Sequence, residues 1–258
     1  MIFHDQMGRG VDISGSPQKI VSLVPPITEL LFDLGLGDRL VGRTKFCIHP
    51  KGKVDKVPSI GGVMGLNYHR IEESKPDLIL ASREENGKQE INEIAKLLPV
   101  WVSDIRNLAD ALEMIQTIGT ICGVEEKAKE MAEKIETEFE KLSEIPEEVI
   151  NAVYLIWKNP LYTVGGNNFT NDMLKRAGIR NVFEDKKEAY PIVTGKEIRN
   201  RKPDYIFLPS EPYPFKTNDV KEFHDKFPKV EIKQVDGEYF SWYGSHLLKA
   251  PSYFKQLF

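Results

Sequence analysis

The sequence predicts an α/β protein of two related lobes, each with a mostly parallel sheet, bridged by one long helix. Three observations predict it. Short runs of β-branched and aliphatic residues read as strands buried on both faces. An ordered phrase of strand, helix ending in glycine, Lys-Pro-Asp corner and second strand occurs twice. Between the two copies lies an amphipathic segment that neither glycine nor proline interrupts.

The elements follow in chain order. Ile20-Val-Ser-Leu-Val24 reads as a buried strand, and Pro25-Pro26 opens a helix that carries Leu30, Leu31 and Leu34 and stops at Gly35. Ile71 to Ser74 reads as a helix end, Lys75-Pro76-Asp77 as a corner, and Leu78 to Ala81 as another buried strand. Proline fixes that corner and drives Lys75 out of helical geometry. The second copy begins with Val153-Tyr-Leu-Ile-Trp157. It continues with Asn171 to Gly178, matching Thr28 to Gly35, and closes with Lys202-Pro203-Asp204 ahead of Tyr205 to Leu208.

Glu125 to Glu144 carries Ala128, Met131, Ala132, Ile135, Phe139 and Leu142 at spacings of three and four, up to Pro146. Such a helix of about 20 residues is roughly 30 Å long. The expected organisation is therefore an N-terminal lobe over 1–122, a bridging helix over 123–145 and a C-terminal lobe over 146–258. A stiff bridge is expected to hold a cleft between the lobes at nearly fixed width.

A formal charge of −4 excludes a general electrostatic attraction for nucleic acid or anionic lipid. No window approaches the roughly 18 apolar residues of a membrane span. Two cysteines, Cys47 and Cys122, cannot build a disulfide framework or a four-thiolate metal site, so packed free thiols are expected. The first ten residues lack the basic, apolar and small-residue segments of a leader. As the chain stands a cytoplasmic protein is expected, and a trimmed leader would instead place it in the periplasm or on a lipid anchor. A monomer is expected.

In open α/β sheets, ligands bind beyond the carboxyl ends of the strands. That singles out Pro25, Pro26, Arg83 and Glu84 in the first lobe, and Lys158, Tyr162 and Ser210 in the second. The Gly165-Gly166 loop reads either as a turn requiring positive φ or as a ligand contact. Glu238 to His246 gathers four aromatic residues beside Gly244, Ser245 and His246, which suits either core packing or a flat, partly polar ligand. Phosphate-binding, nucleophile-elbow and His-Glu-x-x-His motifs are absent. The enzymatic alternative is a metal site assembled from His49, His246 and Glu238. A third reading is a regulatory or scaffold relative that has lost its ligand.

Lys19 to Phe32, Val41-Gly-Arg-Thr44, Gly61-Gly62, Asn67, Ile71 and Lys75 to Ala81 resemble the helical-backbone substrate-binding proteins of ABC importers for cobalamin, haem and iron–siderophores. The resemblance spans nearly the whole chain and is strongest toward the cobalamin-binding branch. It implies two Rossmann-like lobes, no catalysis and no required cofactor, with a corrinoid or iron chelate held in the cleft. Carried over by position, it implies a pocket lined by Phe46, Val63, Arg83, Tyr162, Tyr190, Glu238 and Trp242, with His246 as a donor. Val63 stands where cobalamin binders resemble one another in having tryptophan, so a planar wall is lost there. The resemblance also implies one permease-docking glutamate on each lobe. Glu197 fills the C-lobe position, whereas the N-lobe position is His69, which cannot replace a carboxylate opposite arginine.

Overall fold

The computed structural model describes residues 1–144 and 150–258; the expected end of the bridge at 145 and Pro146, with the start of the second lobe, lies outside the described residues. The chain forms two compact units. The first comprises Met1–Ile105, Ala109–Glu136 and Tyr243–His246, and the second Arg106–Leu108, Thr137–Trp242 and Leu247–Phe258.

The first unit opens with an antiparallel pair, β1 (Ile2–His4) and β2 (Gly10–Asp12). There follow β3 (Ile20–Ser22), α1 (Pro25–Asp33), β4 (Leu40–Arg43), α2 (Tyr68–Ser74), β5 (Leu78–Ser82), α3 (Lys88–Ile94) and β6 (Val100–Ser103). The sheet runs β4-β3-β5-β6 with every pair parallel. All residues of β3, β5 and β6 are buried, as a parallel sheet covered on both faces requires. Val21, Ile79, Ala81 and Val102 pack with Ile91 and Ile94 of α3 in one cluster.

Next come α4 (Leu108–Cys122) and α5 (Glu125–Glu140), the latter followed by a 3-10 turn at Lys141–Glu144. The sequence reading ran one helix over 125–144, and its last four residues tighten into that turn. α4 was not singled out, although Met114, Ile115, Ile118 and Ile121 form a buried stripe at helical spacing. A Cβ on Gly119 would lie 2.2 Å from Cβ of Ala128, so this glycine lets α4 and α5 approach closely.

The second unit contains β7 (Ile150–Trp157), β8 (Tyr162–Thr163), α6 (Phe169–Arg176), β9 (Ile179–Asn181), α7 (Gly195–Arg201), β10 (Tyr205–Pro209), α8 (Thr217–Lys226), β11 (Glu231–Val235), α9 (Glu238–Ser241) and α10 (Ala250–Phe254). Its parallel strands pair as β9-β7-β10-β11, and the short β8 adds antiparallel to β7. Counted from the first strand of each parallel sheet, both units have the order second, first, third, fourth. The duplication read from the sequence is thus repeated in strand topology.

The Lys-Pro-Asp corners explain why the phrase recurs. Lys75 and Lys202 cap α2 and α7 at φ 47° and 50°, and among the described residues no other non-glycine has positive φ. The Asp77 carboxylate accepts the N–H groups of Gln18 and Lys19 at 2.8 and 2.9 Å, just ahead of β3. Asp204 accepts the N–H of Asn151 in β7 at 2.9 Å. Each corner pins the start of a third strand to the start of the first.

Of the two readings of Gly165-Gly166, the positive-φ turn is corrected. Neither glycine has positive φ. A Cβ on Gly165 would lie 2.0 Å from O of Glu188, and one on Gly166 2.0 Å from O of Glu184, so close backbone approach demands glycine. Buried asparagine amides hold the loop: Asn168 donates to O of Ala189 at 2.8 Å, Asn171 to O of Gly166 at 2.9 Å and Asn181 to O of Val164 at 3.0 Å.

Candidate functional site

At the carboxyl edge of the first sheet, Pro25 and Pro26 form the buried first turn of α1 directly after β3. Proline suits this position because its missing N–H would have no helical partner there. Behind them a neutral network closes the turn. The Thr28 hydroxyl lies 2.8 Å from Oγ of Ser22 and 3.0 Å from Sγ of Cys47. Burial pushes the Cys47 thiol up from its ordinary range, which keeps it neutral. Both cysteines are free and buried.

One further helix position in this unit was missed by the sequence reading. Glu29 is buried in α1 and its Oε2 lies 3.0 Å from Nδ1 of His246. The signal was an acidic residue inside the apolar face Ile27-Thr-Glu-Leu-Leu31, but its partner is 217 residues away. The whole segment Tyr243–His246 belongs to this unit. Tyr243 is buried with its hydroxyl 3.3 Å from Oε1 of Glu85, and burial drives that phenol well above its usual range. The rings of His49 and His246 are 6.3 Å apart, yet among the described residues no group of three or more His, Cys, Asp or Glu side chains could hold a metal.

The other first-unit positions are more open. Arg83 grips Asp104 through Nη1 at 2.9 and 3.0 Å. Glu84 is exposed at its side chain, but the surrounding protein's desolvation, and then the Asp104 charge, lift its carboxyl to about 7 against the opposing Arg83. Phe46 is 48% exposed, with the Lys45 ammonium 5.1 Å from its ring centroid. Val63 is half-buried and its carbonyl accepts the Asn86 amide at 2.9 Å.

At the carboxyl edge of the second sheet, Trp157 ends β7 and is 43% exposed. Tyr162 and Tyr190 are half-buried. Lys158 is committed to Asp219 at 2.7 Å and Glu222 at 2.6 Å, and its bond to Asp219 is the main cause holding the ammonium above its usual range. Ser210 donates to Oδ1 of Asp236 at 3.2 Å, and Glu238 starts α9 with its N–H on the same oxygen at 3.1 Å. Trp242 is buried and donates its indole N–H to Oε1 of Glu211 at 2.9 Å. Burial first, and the Glu238 and Asp236 charges after it, push the Glu211 carboxyl up against the bonds from Ser241 and Trp242. Thus the predicted aromatics take different roles, with Trp242 buried and holding the half-buried Glu211 carboxylate and Phe46 open to solvent.

The two docking candidates do not occupy equivalent places. His69 is the second residue of α2 and lies exposed beside Glu73 at 3.4 Å. Glu197 is the third residue of α7, and its counterpart by capping register is Arg70. The Glu197 carboxylate accepts both the N–H and the hydroxyl of Thr194 at 2.8 Å, a capping box that holds its pKa below the usual carboxylate range.

A match to the periplasmic binding protein family covers residues 20–230. The chain belongs to this family. It is 26% identical to a vitamin B12-binding protein of Pectobacterium carotovorum over 239 residues, covering 91% of this chain and 86% of that one. It is 30% identical to an uncharacterised ABC transporter substrate-binding lipoprotein of Bacillus subtilis, covering 78% and 67% respectively. A periplasmic haem-binding protein of Pseudomonas aeruginosa superposes with a TM-score of 0.80 at 16% identity, covering 93% of this chain and 94% of that one, which is a likeness of fold. Membership makes this a substrate-binding protein of the ABC-transporter type rather than an enzyme, which removes the metal-enzyme alternative built on His49, His246 and Glu238. Among the described residues no helix is long and apolar enough to cross a membrane.

Proposed function

We propose that this substrate-binding protein captures a corrinoid or an iron chelate and passes it to an ABC permease. The observation that carries this reading is the match to a vitamin B12-binding protein over 91% of the chain. The chemistry of the edges agrees with it: each carries an exposed aromatic residue, Phe46 in the first unit and Trp157 in the second, which suits a ligand with apolar faces. Relatives named periplasmic or lipoprotein favour work outside the cytoplasmic membrane over the cytoplasmic expectation.

Permease docking is proposed through the exposed α2 and α7 surfaces. The charges on each are mixed, with His69 and Arg70 beside Glu73 on α2 and Lys196 beside Glu197 on α7, rather than one lone carboxylate on each unit. Spectral titration with cobalamin, cobinamide, haemin and ferric siderophores tests the ligand class. A matching ligand at 100 times its Kd adds about 2.7 kcal/mol to stability. The proposal is lost when no chelate in that set gives a spectral change or a thermal shift.

A further inference from the structure

The net charge of the chain is −4, yet it is spread unevenly. Residues 45–56 hold Lys45, Lys51, Lys53 and Lys56 against one acid, Asp55, so this stretch alone carries 4 − 1 = +3. All four lysines are exposed, and among the described residues no ion pair takes up any of them. Asp55 is turned back on its own loop, where its carboxylate accepts the N–H of Gly52 at 3.1 Å.

The same stretch exposes apolar side chains on a folded base. Cys47 is buried, with its N–H on O of Thr44 at 3.1 Å and its thiol 3.0 Å from the Thr28 hydroxyl. Its neighbours Phe46 and Ile48 are turned out, Ile48 to 47% exposure. Lys45 ties this loop to a second one by donating its N–H to O of Gly61 at 2.8 Å. In that second loop Gly61 bridges antiparallel to Leu66, and Met64 between them is 70% exposed. A Cβ on Gly62 would lie 3.7 Å from Cε2 of Phe46 and 2.6 Å from O of Met64, so the two loops meet there. Glu90 fixes the second loop by accepting the N–H groups of Gly65 and Leu66, each at 3.1 Å. Beyond Ile48 the chain folds over buried Val54 and Val57, and Lys53 and Val54 both donate their N–H groups to O of Pro50.

This mixture of lysine and exposed apolar side chains selects among occupants. A bilayer surface accepts both kinds: apolar side chains enter the boundary between headgroups and acyl chains, while lysine stems lie along it and carry their ammonium groups to the headgroups. Attraction to anionic headgroups acts within about one Debye length, so a local +3 counts there and distant acids do not. Protein interfaces, by contrast, are enriched in arginine and depleted in lysine. The adjoining arginine, Arg43, is already committed to the carbonyls of Val57 and Thr44, each at 3.2 Å.

We propose that residues 45–56 together with Met64 form a docking surface for an anionic lipid bilayer, with the lysines on the headgroups and Ile48 and Met64 entering the boundary beneath them. The surface lies wholly within the first unit and acts whichever ligand the protein carries.

Co-sedimentation of the full chain with vesicles tests it, using phosphatidylcholine alone and an equimolar mixture with phosphatidylglycerol. Wild type is expected to bind the mixed vesicles and not the neutral ones, and to lose at least about 10-fold in affinity between about 0.1 and 1 M salt. Lys51→Ala, Lys53→Ala and Lys56→Ala combined should weaken binding about 100-fold, at about 5-fold for each lysine, and the corresponding arginine triple variant should retain it. Ile48→Ser and Met64→Ser should each weaken it about 5-fold at either salt concentration. Equal thermal midpoints establish that the variants are folded, and the salt response of wild type needs no variant at all. Wild type that ignores the mixed vesicles, or binds both compositions equally, overturns the inference. So does vesicle binding that the alanine triple variant leaves unchanged. Polyglutamate bound through these lysines while mixed vesicles are left unbound also overturns it, in favour of an acidic protein partner.

Discussion

The carboxyl edges of the two sheets are built differently on the same plan. In the first unit the part of the edge over α1 is closed inward, while Phe46, Arg83 and Glu84 stay open: Thr28 bonds to Ser22 and Cys47, and Tyr243–His246 arrives from the far end of the chain beside α1. In the second unit the edge opens outward, with Trp157, Ile192 and the carboxylates after β10 and β11 left at or near the surface. The Lys-Pro-Asp corners at the opposite edge are the same in both. Where the halves agree, the residues serve the fold. Where they differ, the turn after the first strand is sealed in one unit, while in the other the end of that strand keeps apolar surface at a free-energy cost of roughly 25 cal/mol for each Å² not buried.

The sharpest way to break this comparison is to remove the sealed pair. Glu29→Ala or His246→Ala removes one side of a buried pair, and a loss of about 3–5 kcal/mol is expected in urea unfolding. Trp157→Ala, on the open edge, should change stability by less than about 1 kcal/mol. Equal losses at the two sites would erase the distinction.

Gly165→Ala and Gly166→Ala come next. Each places a Cβ 2.0 Å from a carbonyl oxygen, so the backbone must separate. A cost of about 1–3 kcal/mol is expected, read by thermal melts. Gly52→Ala is a useful contrast: its Cβ would meet nothing within 4 Å, and only its φ of +79° is strained.

A smaller effect of opposite sign is expected at the shared corners. Left-handed geometry costs a lysine roughly 1–2 kcal/mol, part of which glycine returns as extra unfolded-state entropy. Lys75→Gly and Lys202→Gly should therefore each stabilise by about 0.5 kcal/mol, and by the same amount if the corners are equivalent.

The mildest test is pH. Glu84 has a folded pKa of about 7, above its ordinary 4.5, so the folded state holds the proton more tightly. Stability then declines as pH rises from near 4.5 through 7, because the native form loses a proton bound more strongly than in the unfolded chain. Exposure of the side chain to solvent keeps the effect small. The melting temperature of wild type should fall more between pH 5 and pH 8 than that of Glu84→Gln.

Reading along the chain recovered what short-range chemistry dictates. The corner at Lys75 and its copy at Lys202, the glycine stops after α1 and α6, and the strands β3, β5, β7 and β10 are all visible in stretches of five to twelve residues. The apolar period of 125–140 was legible for the same reason, whereas that of α4 was equally regular and simply not singled out. At Gly165 the positive-φ reading fails, since glycine answers equally to positive φ and to close approach, and only the position of Glu188 separates them.

The sequence by itself determined the repeated architecture, because hydrophobic period, proline and glycine act through neighbouring residues. Tertiary structure alone decided that Glu29 meets His246, that Trp242 turns inward to Glu211, and that a bulge sets Trp157 beside Tyr162. Those outcomes depend on contacts between residues far apart in the chain, or on a one-residue shift of register, and neither leaves a periodic trace in the order of amino acids.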